Sequence, residues 1–241
     1  MTATRSDPRQ RAAVIAGVLF ITATATNVVG TGLSRSLLDS PGYLGQVAAD
    51  ANRVTTGALL ELVAAAASAG IAVALYPVLK SKGPGLALGS VVFRTIEAVM
   101  YVMAVVGLLS VLALSRRYLQ AGPAVRASIQ ASADAMLNLR QQAGLISVFS
   151  FGLGGLMYYA LFYRSRLIPR WLSGWGLLAI IVLLAVWLVA LFSHQPMTTY
   201  TVLVLPLGVQ EIVLAVWLIA KGFNQDALIP AGDEEQHALA T

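Results

Sequence analysis

Six apolar runs, each long enough to cross a bilayer as a helix, take up most of this chain and leave only short polar connections between them. They fall at about 12–33, 54–79, 86–114, 143–163, 171–192 and 200–220. A hydrocarbon core about 30 Å thick is crossed by about 20 residues of helix, because each residue rises about 1.5 Å. Lipid offers the backbone no hydrogen-bond partner, so each run has to satisfy its own amides as a helix. The chain is 58% hydrophobic and only 11% charged, and its mean hydropathy of +0.76 lies outside the range of a soluble domain. The expectation is an all-α, polytopic six-span bundle over 12–223. A basic cytoplasmic segment, 1–11, precedes it, and a disordered cytoplasmic tail, 224–241, follows with Asp233, Glu234 and Glu235.

The net charge of +5 does not indicate nucleic-acid binding in such a chain, because basic residues hold cytoplasmic loops in place. With the N-terminus inside, the inner segments carry nine Lys and Arg, including Arg164, Arg166 and Arg170, and the outer loops carry six, among them Arg140. This predicts a multi-pass protein of the bacterial inner membrane with both termini cytoplasmic. Arg5, Arg9 and Arg11 before small residues at Ala23 and Ala25 fit a signal peptide, but the apolar run extends to Gly32, so it reads as a first span. Tyr158, Tyr159, Tyr163, Trp171 and Trp175 are expected to form an aromatic belt at the inner interface. Pro123 suits a first helical position, and Val125, Ile129, Ala133 and Met136 recur at helical spacing. The stretch 123–140 is therefore either a short amphipathic helix on the membrane surface or an ordinary solvated connection.

The third run is where chemistry concentrates. Arg94, Glu97 and Tyr101 stand at i, i+3 and i+7 within it, and a charge near the middle of a span costs about 2.5–3.5 kcal/mol on insertion scales. Such groups must be paired, hydrated or neutralised. Setting each span's midpoint at the bilayer centre, at about 1.5 Å per residue, places Glu97 within about 5 Å of it and Glu211 almost on it. Two layers are expected: a central one of Arg94, Glu97, Gln210 and Glu211, and an outer one of Asn27, Glu61 and Tyr101. The central layer could be a buried ion pair that fixes the packing of spans three and six. It could equally be a polar pocket, because three buried acids face one arginine and leave excess negative charge. Small residues at Ala66 and Gly70, and at Ser147, Ser150 and Gly154, would let helices approach closely.

Several chemistries are excluded. Without cysteine there is no disulfide, thiolate metal site or thiol nucleophile. His194 and His237 are the two histidines, one in a loop and one in the tail, so no histidine metal pair or buried triad can be assembled. Ser173-Gly174 lacks the context of a nucleophile elbow, and no phosphate-binding glycine loop is present. No cofactor and no metal are expected. The expected partners are the lipid bilayer and a small ligand or ion.

Five blocks carry a family resemblance. Gly57-Ala58-Leu59-Leu60-Glu61, Ala74-Leu75-Tyr76-Pro77-Val78-Leu79 and Phe93-Arg94-Thr95-Ile96-Glu97-Ala98 are followed by Tyr163-Arg164-Ser165-Arg166-Leu167-Ile168-Pro169-Arg170-Trp171-Leu172 with Gly176. The last is Glu211 with Trp217-Leu218-Ile219-Ala220-Lys221-Gly222-Phe223. As a set, from about Arg11 to Phe223, they resemble the domain of unknown function 4386 family (DUF4386). The resemblance implies a bacterial integral membrane protein of several helices. It implies no catalytic residue, and it places Glu61, Arg94, Glu97, Arg170 and Glu211 in the family's blocks.

Overall fold

A computed structural model describes residues 8–193, 195 and 197–228. Seven α-helices run in order: α1 Pro8–Leu38, α2 Tyr43–Ala49, α3 Ala51–Leu79, α4 Pro84–Gln120, α5 Pro123–Ser165, α6 Arg170–Ser193 and α7 Thr201–Ala220. All but the short α2 are long and apolar enough to cross a membrane. Pro84 and Pro123 open α4 and α5, where a residue lacking an amide proton costs nothing. The six long helices close into a ring in chain order: α1 packs on α3, α3 on α4, α4 on α5, α5 on α6, α6 on α7, and α7 returns to α1. Large apolar side chains such as Val28, Leu59, Val73, Val106, Leu178, Ile181, Leu188 and Val202 face outward around this ring. Hydrocarbon is the surrounding that such a surface requires, and the chain is a multi-pass membrane protein.

Two apolar cores hold the ring together. One lies at the end where both termini meet and contains Phe20, Leu75, Tyr158, Phe162, Leu172, Leu218 and Phe223. The other lies at the opposite end and contains Leu37, Leu44, Val47, Val54, Val105, Leu108, Val111 and Ala133. Between them, Glu61, Arg94, Glu97, Tyr101 and Arg140 occupy the middle stretches of α3, α4 and α5.

The start of α1 and the segment after α7 meet through named bonds. Gln10 donates to the Phe223 carbonyl at 3.1 Å, Arg9 donates to the Leu228 carbonyl at 2.7 Å, and the Asn224 amide donates to the Leu167 carbonyl at 2.9 Å. Residues 224–228, read from sequence as the start of a tail, therefore fold back onto the bundle and include a 3₁₀ turn at Asp226–Leu228. The rest of that tail, the first seven residues and His194 lie outside the described residues.

Three sequence expectations are corrected. The stretch 123–140 is helical but continuous with the fourth span, within one 43-residue helix. At about 1.5 Å per residue that helix is about 65 Å long, so it projects beyond a core about 30 Å thick, as does α4 with 37 residues. Of the expected stripe, Val125 is exposed, whereas Ile129, Ala133 and Met136 join the apolar cluster that α2 and α4 build at this end. The Tyr43 hydroxyl adds a 2.7 Å hydrogen bond from α2 to Asp134. In the aromatic belt, Tyr163 and Trp171 are exposed, but Tyr158 and Tyr159 are core residues. Ala66 faces outward, and the buried small residues of α3 are Gly57, Ala58, Ala64, Ala65, Ala67, Ser68 and Ala72.

Candidate functional site

The firmest polar contact joins α3 to α5. Arg140 Nη2 lies 2.6 Å from Glu61 Oε1 and Nη1 lies 2.9 Å from Oε2, a two-pronged match of guanidinium to carboxylate. Nη1 also donates to the Ala104 carbonyl of α4 at 3.0 Å, so one side chain ties three helices. Arg140 was expected in an outer loop, because the apolar run begins only at 143. Its position could have been found, since it stands seven residues before Ser147 and fourteen before Gly154, on the stripe that faces the bundle. Gly107 admits it: a Cβ there would lie 3.0 Å from the Met136 carbonyl oxygen and 3.2 Å from Arg140 Cβ.

Deeper in the bundle, Arg94 Nη1 lies 3.0 Å from Glu97 Oε2, one turn along the same helix. Arg94 is 2% and Glu97 4% exposed. The two are close but misaligned for a hydrogen bond. Among the described residues, Arg94 Nε and Nη1, Glu97 Oε2, Ser68 Oγ and the Tyr158 hydroxyl are buried without a hydrogen-bond partner. The guanidinium lies 4.8 Å from the centre of the Phe151 ring. Gly154 makes room for it, since a Cβ there would lie 3.0 Å from Arg94 Cγ. Arg94 and Glu97 share a helix, so their contact does not itself join span three to span six. The interhelical lock is Glu61 with Arg140.

Gln210 and Glu211 part company despite being neighbours. Fully buried Gln210 accepts a hydrogen bond from the Tyr159 hydroxyl and donates to the Leu172 carbonyl at 3.2 Å, so it belongs to the α5–α6–α7 junction. Glu211 turns the other way, toward Thr24 of α1, and has no cationic partner within 4.0 Å among the described residues.

Two cavities connect these groups. An inner one of about 420 Å³ is lined by Thr24, Asn27, Ser68, Glu97, Tyr101 and Glu211, with apolar walls that include Phe151 and Val204. An outer one of about 570 Å³ is lined by Asn27, Thr31, Arg35, Asp39, Glu61, Tyr101 and Arg140. Asn27, Tyr101 and Val148 border both. Of the expected central layer, Glu97 and Glu211 line the inner cavity while Arg94 and Gln210 line neither, and the expected outer residues Asn27, Glu61 and Tyr101 line the outer one.

The basic segment lies at the terminus-bearing end. Arg166 ends α5 in the left-handed conformation, with φ 57°, and Arg170 opens α6 with its guanidinium 5.5 Å from the Tyr163 ring centre. Arg166 and Arg170 share a hollow with Lys221, whereas exposed Arg164 is not among its lining residues.

The model of one protein family, described as "Domain of unknown function (DUF4386)", matches residues 15–222. The chain belongs to this family. The matched region takes in α1 from residue 15 onward and α2 to α7 whole, with the polar cleft from Thr24 to Glu211 and the basic segment from Arg164 to Lys221. No curated protein and no solved structure matches the chain. The DUF4386 description assigns no activity, so function has to be argued from the cleft itself.

Proposed function

We propose that the polar cleft binds a proton or a small cation, or the cationic head of a small amphiphile, at Glu97 and Glu211, with entry from the outer cavity. The observation that carries this is the unpaired Glu211 carboxylate on a cavity it shares with Glu97. The charge count supports it. Glu61 is neutralised by Arg140 and Glu97 stands against Arg94, so Glu211, half-buried on the cavity wall, is the acid left over. Glu97 Oε2 and Ser68 Oγ, side by side on the inner cavity, make no well-formed hydrogen bond, and a polar guest there would complete one, as buried polar groups almost always require. The cleft runs toward the midplane, where ionisable residues in membrane proteins mark ion and substrate paths. The basic bias of the loops at the terminus-bearing end supports cytoplasmic termini, and with them entry from the outside.

A packing role is the second reading, and it is favoured for one pair only. Glu61 and Arg140 are fully matched to each other and bridge three helices, which is the geometry of a structural tie. Glu97 and Glu211 have no such match.

The test melts purified protein in detergent at constant ionic strength in NaCl, KCl or tetramethylammonium chloride, from pH 5 to 8. The expected result is a melting temperature that responds to pH or to one of these cations in the wild type and loses that response in Glu211→Gln. Parallel melting of the two proteins across the whole series would overturn the proposal.

A further inference from the structure

The hollow at the terminus-bearing end is separate from the cleft and has its own chemistry. It holds about 560 Å³ between the α5–α6 turn and the end of α7, and is bordered by Arg166, Pro169, Arg170, Trp217, Lys221 and Phe223, among others. Its lining contains three cations and no carboxylate. None of the three forms an ion pair among the described residues. The chain also spends conformational energy to place one of them. Arg166 is the one non-glycine with positive φ among the described residues, a conformation that glycine adopts freely and a branched or long side chain does not. Such strain persists where the surroundings hold it in place, and it collects at binding sites.

The hollow sits where the spanning helices α5 and α7 end and α6 begins. Exposed Tyr163 and Trp171 flank it, and Trp171 packs edge-on to Trp217 at 6.4 Å. Aromatic residues of this kind settle at the membrane–water boundary. The start of α6 at Arg170 adds the partial positive charge of a helix N-terminus. From this juxtaposition we infer that Arg166, Arg170 and Lys221 form a site for the phosphate of an anionic phospholipid headgroup, taken from the leaflet beside the hollow. Basic pockets at helix ends recognise lipid headgroups in this way. The acyl chains would lie along the outward apolar faces of α6 and α7, where Leu178, Ile181, Val209, Ile212 and Val216 are exposed.

The full-length protein in a neutral detergent is titrated with phosphatidylglycerol, with phosphatidylcholine, or with inorganic phosphate at matched ionic strength. Bound lipid is counted by native mass spectrometry and the melting temperature is followed in parallel. The expected result is retention of phosphatidylglycerol over phosphatidylcholine, with an apparent affinity about fivefold weaker for each cation removed. Lys221→Gln tests one cation. Arg166→Gly tests another without a risk to folding, because glycine relaxes the left-handed turn while removing the charge, so this variant is expected to melt no lower than the wild type. Equal retention of the two lipids would overturn the inference. So would phosphatidylglycerol binding that both variants leave unchanged, or a response to inorganic phosphate as large as that to phosphatidylglycerol, which would assign the hollow to a soluble anion.

Discussion

Replacing Arg140 with alanine tests the interhelical tie most sharply. In the native protein its guanidinium matches both oxygens of Glu61, and the two side chains are 16% and 3% exposed. Truncation leaves a buried carboxylate with no cation beside it, and removing one member of a buried pair costs about 3–5 kcal/mol. In a chain of this size 1 kcal/mol moves the melting temperature by about 2–4 °C, so Arg140→Ala should melt about 6–20 °C lower. Intrinsic tryptophan fluorescence during a thermal ramp in detergent reads this directly. Arg35→Ala is the control. Its partner Asp39 is one turn away at 3.2 Å, both side chains are more than half exposed, and such pairs contribute at most about 1 kcal/mol. A double variant, Glu61→Leu with Arg140→Leu, should recover most of the loss, because apolar replacement of a whole buried pair is often close to neutral. If Arg140→Ala melts like Arg35→Ala, or the double variant is no more stable than Arg140→Ala, the tie does not carry the weight given to it here.

Two further outcomes follow from the packing and from the outer end. Gly154→Val should destabilise the protein by about 1–3 kcal/mol, since even a Cβ there meets the Arg94 stem at 3.0 Å, and a milder Gly154→Ala should lie between it and the wild type in the same melt. Burial and the hydrogen bond to Asp134 raise the Tyr43 pKa above the ordinary tyrosine value. The folded state therefore holds that proton more tightly than the unfolded chain. Its contribution to stability is complete below about pH 10 and is lost as the pH climbs beyond. Tyr43→Phe should remove one tyrosine from those that tyrosinate absorbance shows resisting ionisation in the folded protein, and should abolish that part of the alkaline loss of stability.

The spans were legible in the sequence because a single physical demand, satisfying the backbone in lipid, writes itself as length and hydropathy. Arg94, Glu97, Glu61 and Glu211 were legible for the complementary reason, since a charge inside such a run is conspicuous. Arg140 was not, because α5 projects past the bilayer and its apolar run starts three residues later, so the arginine looked like a loop residue. Only its place on the stripe through Ser147 and Gly154 gives it away. Depth along a helix fixes height but not direction around the axis. That is why Gln210 and Glu211, at the same height, could be taken together although one faces Tyr159 and the other the cleft. The pairing of 123–140 with α2 and α4 was hidden for a related reason: an amphipathic stripe does not say whether protein or membrane will cover it.

The account turns on a cleft that admits cations to Glu97 and Glu211, and the absence of any native cysteine makes this directly measurable. A single cysteine at Ser68, on the inner cavity wall, can be challenged with a positively charged and a negatively charged methanethiosulfonate of similar size. The cationic reagent should react markedly faster, and Glu211→Gln in the same background should narrow the difference. Equal rates for the two reagents, or a cysteine that neither reaches, would contradict it.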